Sequence, residues 1–380
     1  MSDDPRVTIL VDSPAIWRAV RADLAGAREY AYFQTYSFEG DRVGKDLTNE
    51  LLAARAPDLR LLIDSYTRVN QSDRWIAAPG NLFNRPLRDE VRNTRRLVRT
   101  LRAEGTGVRF GRPFGFLGRK ALRRDHKKLF LFDDRVAYVG GINFSEHNFE
   151  WHDIMVRIEH PEVARFLRRD FLRSWEGRSQ MASRSFPELG LDLHTLPGRG
   201  NREAFDGLLA RIDRAERSIH VISPYVGPPF TGHLAAAADR GVEVHFVTPR
   251  DNNKAYLQDY LLAEAARSSF HVRLYPERMI HMKCMLIDDS TLVTGSSNFD
   301  LMSYHGFLAE VVAVFRSPAV TAAFRRQVLE PDLAASRRMA ATEGQPTGTW
   351  DRMIATVPIR AATLLARALN PPARRGPHGG

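Results

Sequence analysis

This sequence has almost no cysteine and very little lysine. One cysteine, Cys284, stands in 380 residues. A lone thiol excludes an intramolecular disulfide and fits a reducing compartment. No uncharged apolar run approaches the roughly 20 residues that a membrane-spanning helix needs. The opening stretch, MSDDPRVTILVDS, is acidic and has no basic segment followed by an apolar one, so no secretory signal is expected. The expectation is a soluble or peripheral chain, cytoplasmic or on the inner face of a membrane. No obvious metal cluster is present: His147 and His152 sit close together without a third ligand, so no metal or other cofactor is expected. Nothing in the sequence calls for an obligate protein partner.

Lysine makes up only six of the 55 basic residues. Two of those six, Lys128 and Lys283, occupy one position of a repeated motif, which hints at a need for a compact ammonium rather than a planar guanidinium. The net charge is +10 and the pI near 10. That balance favours anionic partners: an anionic membrane face, phosphorylated substrates or nucleic acid. The same charge also serves solubility in an arginine-rich composition.

The motif occurs twice. His126-Lys127-Lys128 runs into LFLF and Asp133, with Gly140-Gly141-Ile142-Asn143 beyond. His281-Met282-Lys283 runs into CMLI and Asp288, with Gly295-Ser296-Ser297-Asn298 beyond. Both fit H-x-K-x4-D-x6-G-(G/S)-x-N, 155 positions apart. The surroundings repeat too. Residues 6–12, 29–36 and 59–63 read as strands, with helices over 13–28 and 44–56 between them. The second half answers with a helix over 202–216, a strand from 218, a helix over 232–240 and a strand over 242–247. This alternation predicts an α/β fold of two homologous domains, each a mixed sheet covered by helices. The expected boundaries are 1–178 and 202–335, with a Gly/Ser/Pro-rich linker over 179–201 and a tail over 336–380. In the tail, 359–369 reads as a short helix for packing or for touching a membrane, and the end as disordered.

Tyr36 matches Tyr225 at an offset of 189, whereas the motifs match at 155. The first half therefore carries about 34 extra residues, read as an insertion over 66–125. Its end, GRPFGFLGRKALRR, runs straight into His126. Arg112, Phe114, Phe116, Arg119 and Arg123 are its candidates for substrate binding, since cations among aromatics suit a lipid headgroup interface or stacked nucleic-acid bases.

Strand parity sorts the motif. Residues i and i+2 share a face, so His126 projects with Lys128 and His281 with Lys283, while Lys127 and Met282 point away. Asp133 and Asp288 fall at turns seven residues on and are read as structural. Gly140, Gly141, Gly295 and Ser296 end the return strands, where small residues let the backbone approach closely. A catalytic histidine needs an orienting acceptor. The candidates are Asp153 and Glu310, each at the head of a strand-like run.

The doubled motif resembles that of the phospholipase D superfamily, over about residues 6–335. The resemblance implies one active site at a pseudo-two-fold axis, built from His126, Lys128, Asn143, His281, Lys283 and Asn298. It further implies a covalent phosphohistidine with no metal, His126 as nucleophile and His281 as acid and base. It also supports Asp153 and Glu310 as the residues that orient the histidines. The runs Val139–Asn143, Trp151–Glu159, Ser223-Pro224-Tyr225 and Met279–Lys283 resemble those of bacterial cardiolipin synthases. They imply a transphosphatidylase acting on anionic phospholipid, with hydrolysis of phospholipid or of nucleic acid as alternatives. The insertion, and the lack of membrane segments before it, depart from that pattern.

Overall fold

The computed structural model describes residues 4–116 and 120–339, together with 361 and 365. The first unit runs β1 (Val7–Val11), α1 (Asp12–Gly26), β2 (Tyr30–Thr35), α2 (Arg42–Ala53), β3 (Asp58–Asp64), α3 (Arg85–Ala103), β4 (Gly107–Gly111), β5 (Leu129–Phe132), β6 (Val136–Gly140), α4 (Glu146–Glu150), β7 (Ile154–Glu159) and α5 (Pro161–Trp175). Then come β8 (Ala182–Phe186), β9 (Leu191–Leu196), α6 (Asn201–Asp213), β10 (Ser218–Ile222), α7 (Phe230–Asp239), β11 (Glu243–Pro249), α8 (Ala255–Ala265) and β12 (His271–Tyr275). The chain ends its second unit with β13 (Cys284–Ile287), β14 (Thr291–Gly295), α9 (Leu301–Tyr304), β15 (Leu308–Phe315), α10 (Pro318–Phe324) and α11 (Glu330–Ala335).

The first sheet has the order β1-β7-β6-β5-β2-β3-β4. The second repeats it as β9-β15-β14-β13-β10-β11-β12, with β8 added outside β9 and Arg337–Arg338 outside β12. The strands β2, β3 and β4, and likewise β10, β11 and β12, pair in parallel, and the motif strands pair antiparallel. The motif strands lie in the middle of each sheet. That is why LFLF and CMLI are apolar at every position: all eight residues are buried, with helices or the other sheet on both faces. One core cluster draws residues from both sheets, among them Leu131, Val139, Cys284 and Val311. Separate clusters lie under the outer helices of each unit.

The topology moves two sequence boundaries. The stretch read as a linker, 179–201, holds β8 and β9, and β9 is the counterpart of β1. Its alternating Leu191, Leu193 and Thr195 are buried against β15. The second unit's sheet therefore begins before residue 202. Nor is all of 66–125 an insertion: α3 and β4 have counterparts in α8 and β12. What the second unit lacks is the stretch between β3 and α3 and most of the loop after β4. Of the helix expected over 359–369, only residues 361 and 365 are described, and both are helical.

Candidate active site

Each motif histidine is delivered along the other unit. The Arg124 and His126 amides donate to Phe307 O and Ala309 O, both at 2.9 Å. These acceptors lie just before Glu310. The His152 amide donates to Met279 O and the His281 amide to His152 O, both at 2.8 Å, just before Asp153. The result is a crosswise pairing. His126 Nδ1 shares a hydrogen bond with Glu310 Oε1 at 3.0 Å, and His281 Nδ1–H donates to Asp153 Oδ2 at 2.8 Å. In each case the other ring nitrogen, Nε2, is left for chemistry. Both histidine–lysine segments are extended but stop just short of the strands, which begin at Leu129 and Cys284.

The small residues after the motif make room for these carboxylates. A Cβ on Gly140 would lie 2.3 Å from Ile154 O, and one on Gly295 2.2 Å from Val311 O. Gly141 lies so close to Asp153 that a Cβ there would meet Oδ1 at 2.2 Å. Ser296, at the matching position, has a further use. Its hydroxyl donates to Glu310 Oε2 and accepts from the Val311 amide at 3.0 Å.

Lys128 and Lys283 are fully buried, and each ammonium donates to the carbonyl of its own histidine, His126 O at 2.8 Å and His281 O. Lys127 turns to the opposite face and pairs with Asp170 at 2.6 Å and Ser174 at 2.8 Å on α5. Asn143 donates to Asn148 Oδ1 at 3.0 Å, while Asn298 Oδ1 is buried with no partner among the described residues. Asp133 and Asp288 occupy the motif turns, where both have positive φ. Asp133 accepts the backbone amides of Arg28, Glu29 and Tyr30, and Asp288 those of Glu216, Arg217 and Ser218. Each carboxylate thus fastens its motif turn to the start of the neighbouring strand.

A cleft of about 220 Å³ opens over the two histidines, lined also by Asn143, Asn298, Tyr36, Trp151 and Tyr225. Burial governs its electrostatics. It lowers His126 well below the usual histidine range and His281 to about 3, with the nearby lysines adding to the effect. It lowers Lys128 to about 7 and Lys283 to about 8. Burial therefore favours neutral imidazoles and ammonium groups that lose charge easily, and the negative charge of a phosphodiester would raise all four. The carboxyls diverge. Burial pushes Glu310 up to about 8. Burial also opposes ionisation of Asp153, but the hydrogen bond from His281 and the charges around it carry Asp153 below its ordinary value.

Beside the cleft, Glu39, Asp41 and Glu90 bring carboxylate oxygens within 4.8 Å of one another. Burial, then the hydrogen bond with Glu90, pushes Glu39 up to about 9.

Two intact copies of the motif now form one site inside a repeated sheet. A family model described as cardiolipin synthase, phospholipase D-like domain matches residues 20–175 and 208–330. The chain belongs to that family. Among its curated relatives, a probable cardiolipin synthase of Bacillus subtilis is 25% identical over 373 residues, covering 90% of this chain and 67% of the relative. Cardiolipin synthase A of Pseudomonas entomophila is 26% identical over 364 residues, covering 90% of this chain and 71% of the relative. The crystal structure of a phosphatidylserine synthase from Haemophilus influenzae shares the fold, with a TM-score of 0.70 over 97% of this chain and 95% of that one at 14% identity. This chain is an enzyme of the phospholipase D superfamily.

Within this phospholipase D-like frame, the side chains of the loop before His126 go to several places. None of Arg112, Phe114, Phe116 and Arg123 lines the catalytic cleft, and Arg119 lies outside the described residues. Arg112 adopts φ 49° and donates to Pro197 O at 2.7 Å. With Lys120, Arg123 and Arg199 it lines a separate cavity of about 500 Å³. Phe114 sits under the Arg124 guanidinium, 4.4 Å away, and Phe116 is exposed. Arg124 itself pairs with buried Asp64 at 3.1 Å and steadies the approach to His126.

Sequence reasoning also missed the aromatic walls. Tyr36 meets the His126 ring at 5.0 Å, and Trp151 meets the His281 ring at 4.9 Å. The matching positions of Tyr36 and Tyr225 carried that signal. His152 proves to be a buried clamp between the units, bonded to Asp12 at 2.7 Å and to Asp332 at 2.9 Å.

Proposed function

We propose that this chain is a phospholipid transphosphatidylase of the cardiolipin synthase type, peripheral on an anionic membrane. The reading is carried by one observation: two histidines share a cleft, each held at Nδ1 by a carboxyl group of the other unit, with two buried lysines beside them. In the reaction, His126 Nε2 attacks the phosphorus of the donor phosphodiester. The bond from phosphorus to the leaving alcohol breaks, and His281 supplies its proton. The ionised Asp153 behind His281 supports the imidazolium that this role demands. A second lipid alcohol then enters, gives its proton to His281 and displaces the phosphatidyl group from His126, which restores both rings. Lys128, Lys283, Asn143 and Asn298 meet the phosphoryl oxygens as charge builds on them. Transfer differs from hydrolysis only in the acceptor, and a lipid alcohol prevails where bound lipid keeps water out of the cleft.

Incubation of the purified protein with phosphatidylglycerol vesicles tests this reading, with product lipids identified by mass spectrometry. Cardiolipin is the expected product. Phosphatidic acid alone would make the protein a hydrolase, and cleavage of DNA with no lipid product would overturn the lipid reading. Protein denatured in detergent at neutral pH should carry a phosphatidyl group on His126, and a label found on His281 instead would reverse the two roles.

A further inference from the structure

Nine large apolar side chains are exposed among the described residues. Five of them, Trp75, Leu82, Phe83, Phe116 and Leu122, fall within residues 66–125, so exposed apolar area is concentrated in the part that differs most from the second unit. Three of the five belong to one compact cap at the head of α3. Trp75 is 56% exposed, Leu82 48% and Phe83 86%. The cap is ordered by its own bonds. Asn81 donates to Trp75 O at 2.9 Å, Arg88 donates to Leu82 O at 2.9 Å, and the Asn84 side chain caps α3 at the Leu87 amide, 3.1 Å away.

Its charge has one sign. Residues 74–88 contain Arg74, Arg85 and Arg88 and no carboxylate. Helix α3, which begins at Arg85, carries five more arginines beyond Arg88 against Asp89 and Glu90. Exposed apolar side chains set among unneutralised arginines match the depth profile of an anionic bilayer. The rings and leucine enter the acyl boundary while the guanidinium groups stay among the headgroup phosphates. Single-stranded nucleic acid would use the arginines and Trp75, but it has little use for an exposed leucine.

The cap also sits at the mouth of the cleft. Trp75 meets Tyr66 edge-on at 5.6 Å, Tyr66 stacks on Tyr36 at 5.0 Å, and Tyr36 meets the His126 ring at 5.0 Å. A short line of four rings connects the exposed cap to the catalytic histidine. We infer that residues 74–88 form a docking surface for an anionic lipid bilayer, which brings the cleft to the membrane. This rests on the transphosphatidylase reading for its purpose, though not for its test.

Binding is measured by co-sedimentation of the His126→Ala full-length protein with phosphatidylcholine vesicles, with and without phosphatidylglycerol. The parent should bind the anionic vesicles at least tenfold more tightly. Adding Leu82→Ser and Phe83→Ser should weaken that binding by about tenfold or more. Adding Arg74→Gln and Arg85→Gln should reduce the preference for phosphatidylglycerol. In an otherwise unaltered chain, Leu82→Ser/Phe83→Ser should leave both the melting temperature and the hydrolysis of bis(4-nitrophenyl) phosphate unchanged. The inference is overturned if the parent ignores vesicles, if the Leu82/Phe83 variant binds them as well as the parent, or if that variant loses retention of single-stranded DNA instead. No turnover enters the binding measurement, so vesicle binding through the cap without any lipid product would sink the functional reading and leave the docking surface standing.

Discussion

His126 and Glu310 share a hydrogen bond of 3.0 Å across 184 residues of sequence. The reciprocal pair, His281 and Asp153, spans 128. Neither unit therefore holds a complete histidine–carboxyl pair, and the two halves depend on each other for chemistry. Losing a carboxyl partner frees the ring to choose the wrong tautomer and turn away. Glu310→Gln and Asp153→Asn should each lower kcat by roughly 10²- to 10⁴-fold with the circular-dichroism spectrum intact. A loss of less than tenfold in either would mean that the pair does not orient its histidine.

The matching positions Gly141 and Ser296 are not interchangeable. At Gly141 the Asp153 carboxylate already occupies the space of a side chain, while at Ser296 a hydroxyl is needed to hold Glu310. Gly141→Ser should therefore displace Asp153 and abolish turnover. Ser296→Gly removes one hydrogen bond to a buried carboxyl and should cost about tenfold in kcat. Steady-state kinetics of the two variants decides this, and equal losses would break the distinction.

Asp133 gives the motif its third letter, yet it binds three backbone amides at a turn. Asp133→Ala leaves those donors without their acceptor and should cost about 2–4 kcal/mol of stability in urea unfolding. The folded fraction should keep its specific activity. A stable but inactive variant would put Asp133 in the chemistry after all.

Strand parity placed this aspartate correctly because it is a local property of an extended chain. The repeat was legible for the same reason, since LFLF and CMLI mark a buried strand wherever they occur. The crosswise pairing was not legible: sequence spacing brings His126 nearer to Asp153, and only the strand-to-strand contacts at Phe307 and Ala309 direct it to Glu310. Residues 179–201 misled through composition. Their Gly, Ser and Pro outweighed a six-residue alternation, Leu191–Leu196, that covers the edge of β15. Nor was the path of the loop before His126 legible, because the backbone turn at Arg112 carries its cations toward a second cavity.

Burial lowers Lys128 to about 7 and Lys283 to about 8, and both must be ammonium groups to bind an anionic phosphodiester. A lowered lysine loses its proton as pH rises through that lowered value. The kcat/KM profile should therefore fall on the alkaline side between about pH 7 and 8, far below an ordinary lysine. Bound substrate raises both groups, so the matching limb in kcat should lie at higher pH. Lys283→Arg keeps its charge and should flatten its share of the limb while lowering the maximum. An alkaline limb near pH 10 in kcat/KM would show that the lysines are not shifted.

His152 ties the two units together through Asp12 and Asp332. Burial lowers its basicity, but the hydrogen bonds and charges of both aspartates overcome this and raise it to about 9. A histidine raised in the folded state contributes stability that is full below its unfolded value, near 6.5, and disappears as pH rises through about 9. The ring is almost wholly buried, so solvent screens the clamp little. The shift corresponds to roughly 3 kcal/mol. Urea unfolding should show stability falling by about that amount between pH 6 and 10 from this group. His152→Gln keeps hydrogen-bonding capacity but has no charge to lose. It should be less stable at pH 6 and show a flatter profile to pH 10. If the variant keeps the same slope as the parent, the pH dependence arises elsewhere and the clamp is not ionic.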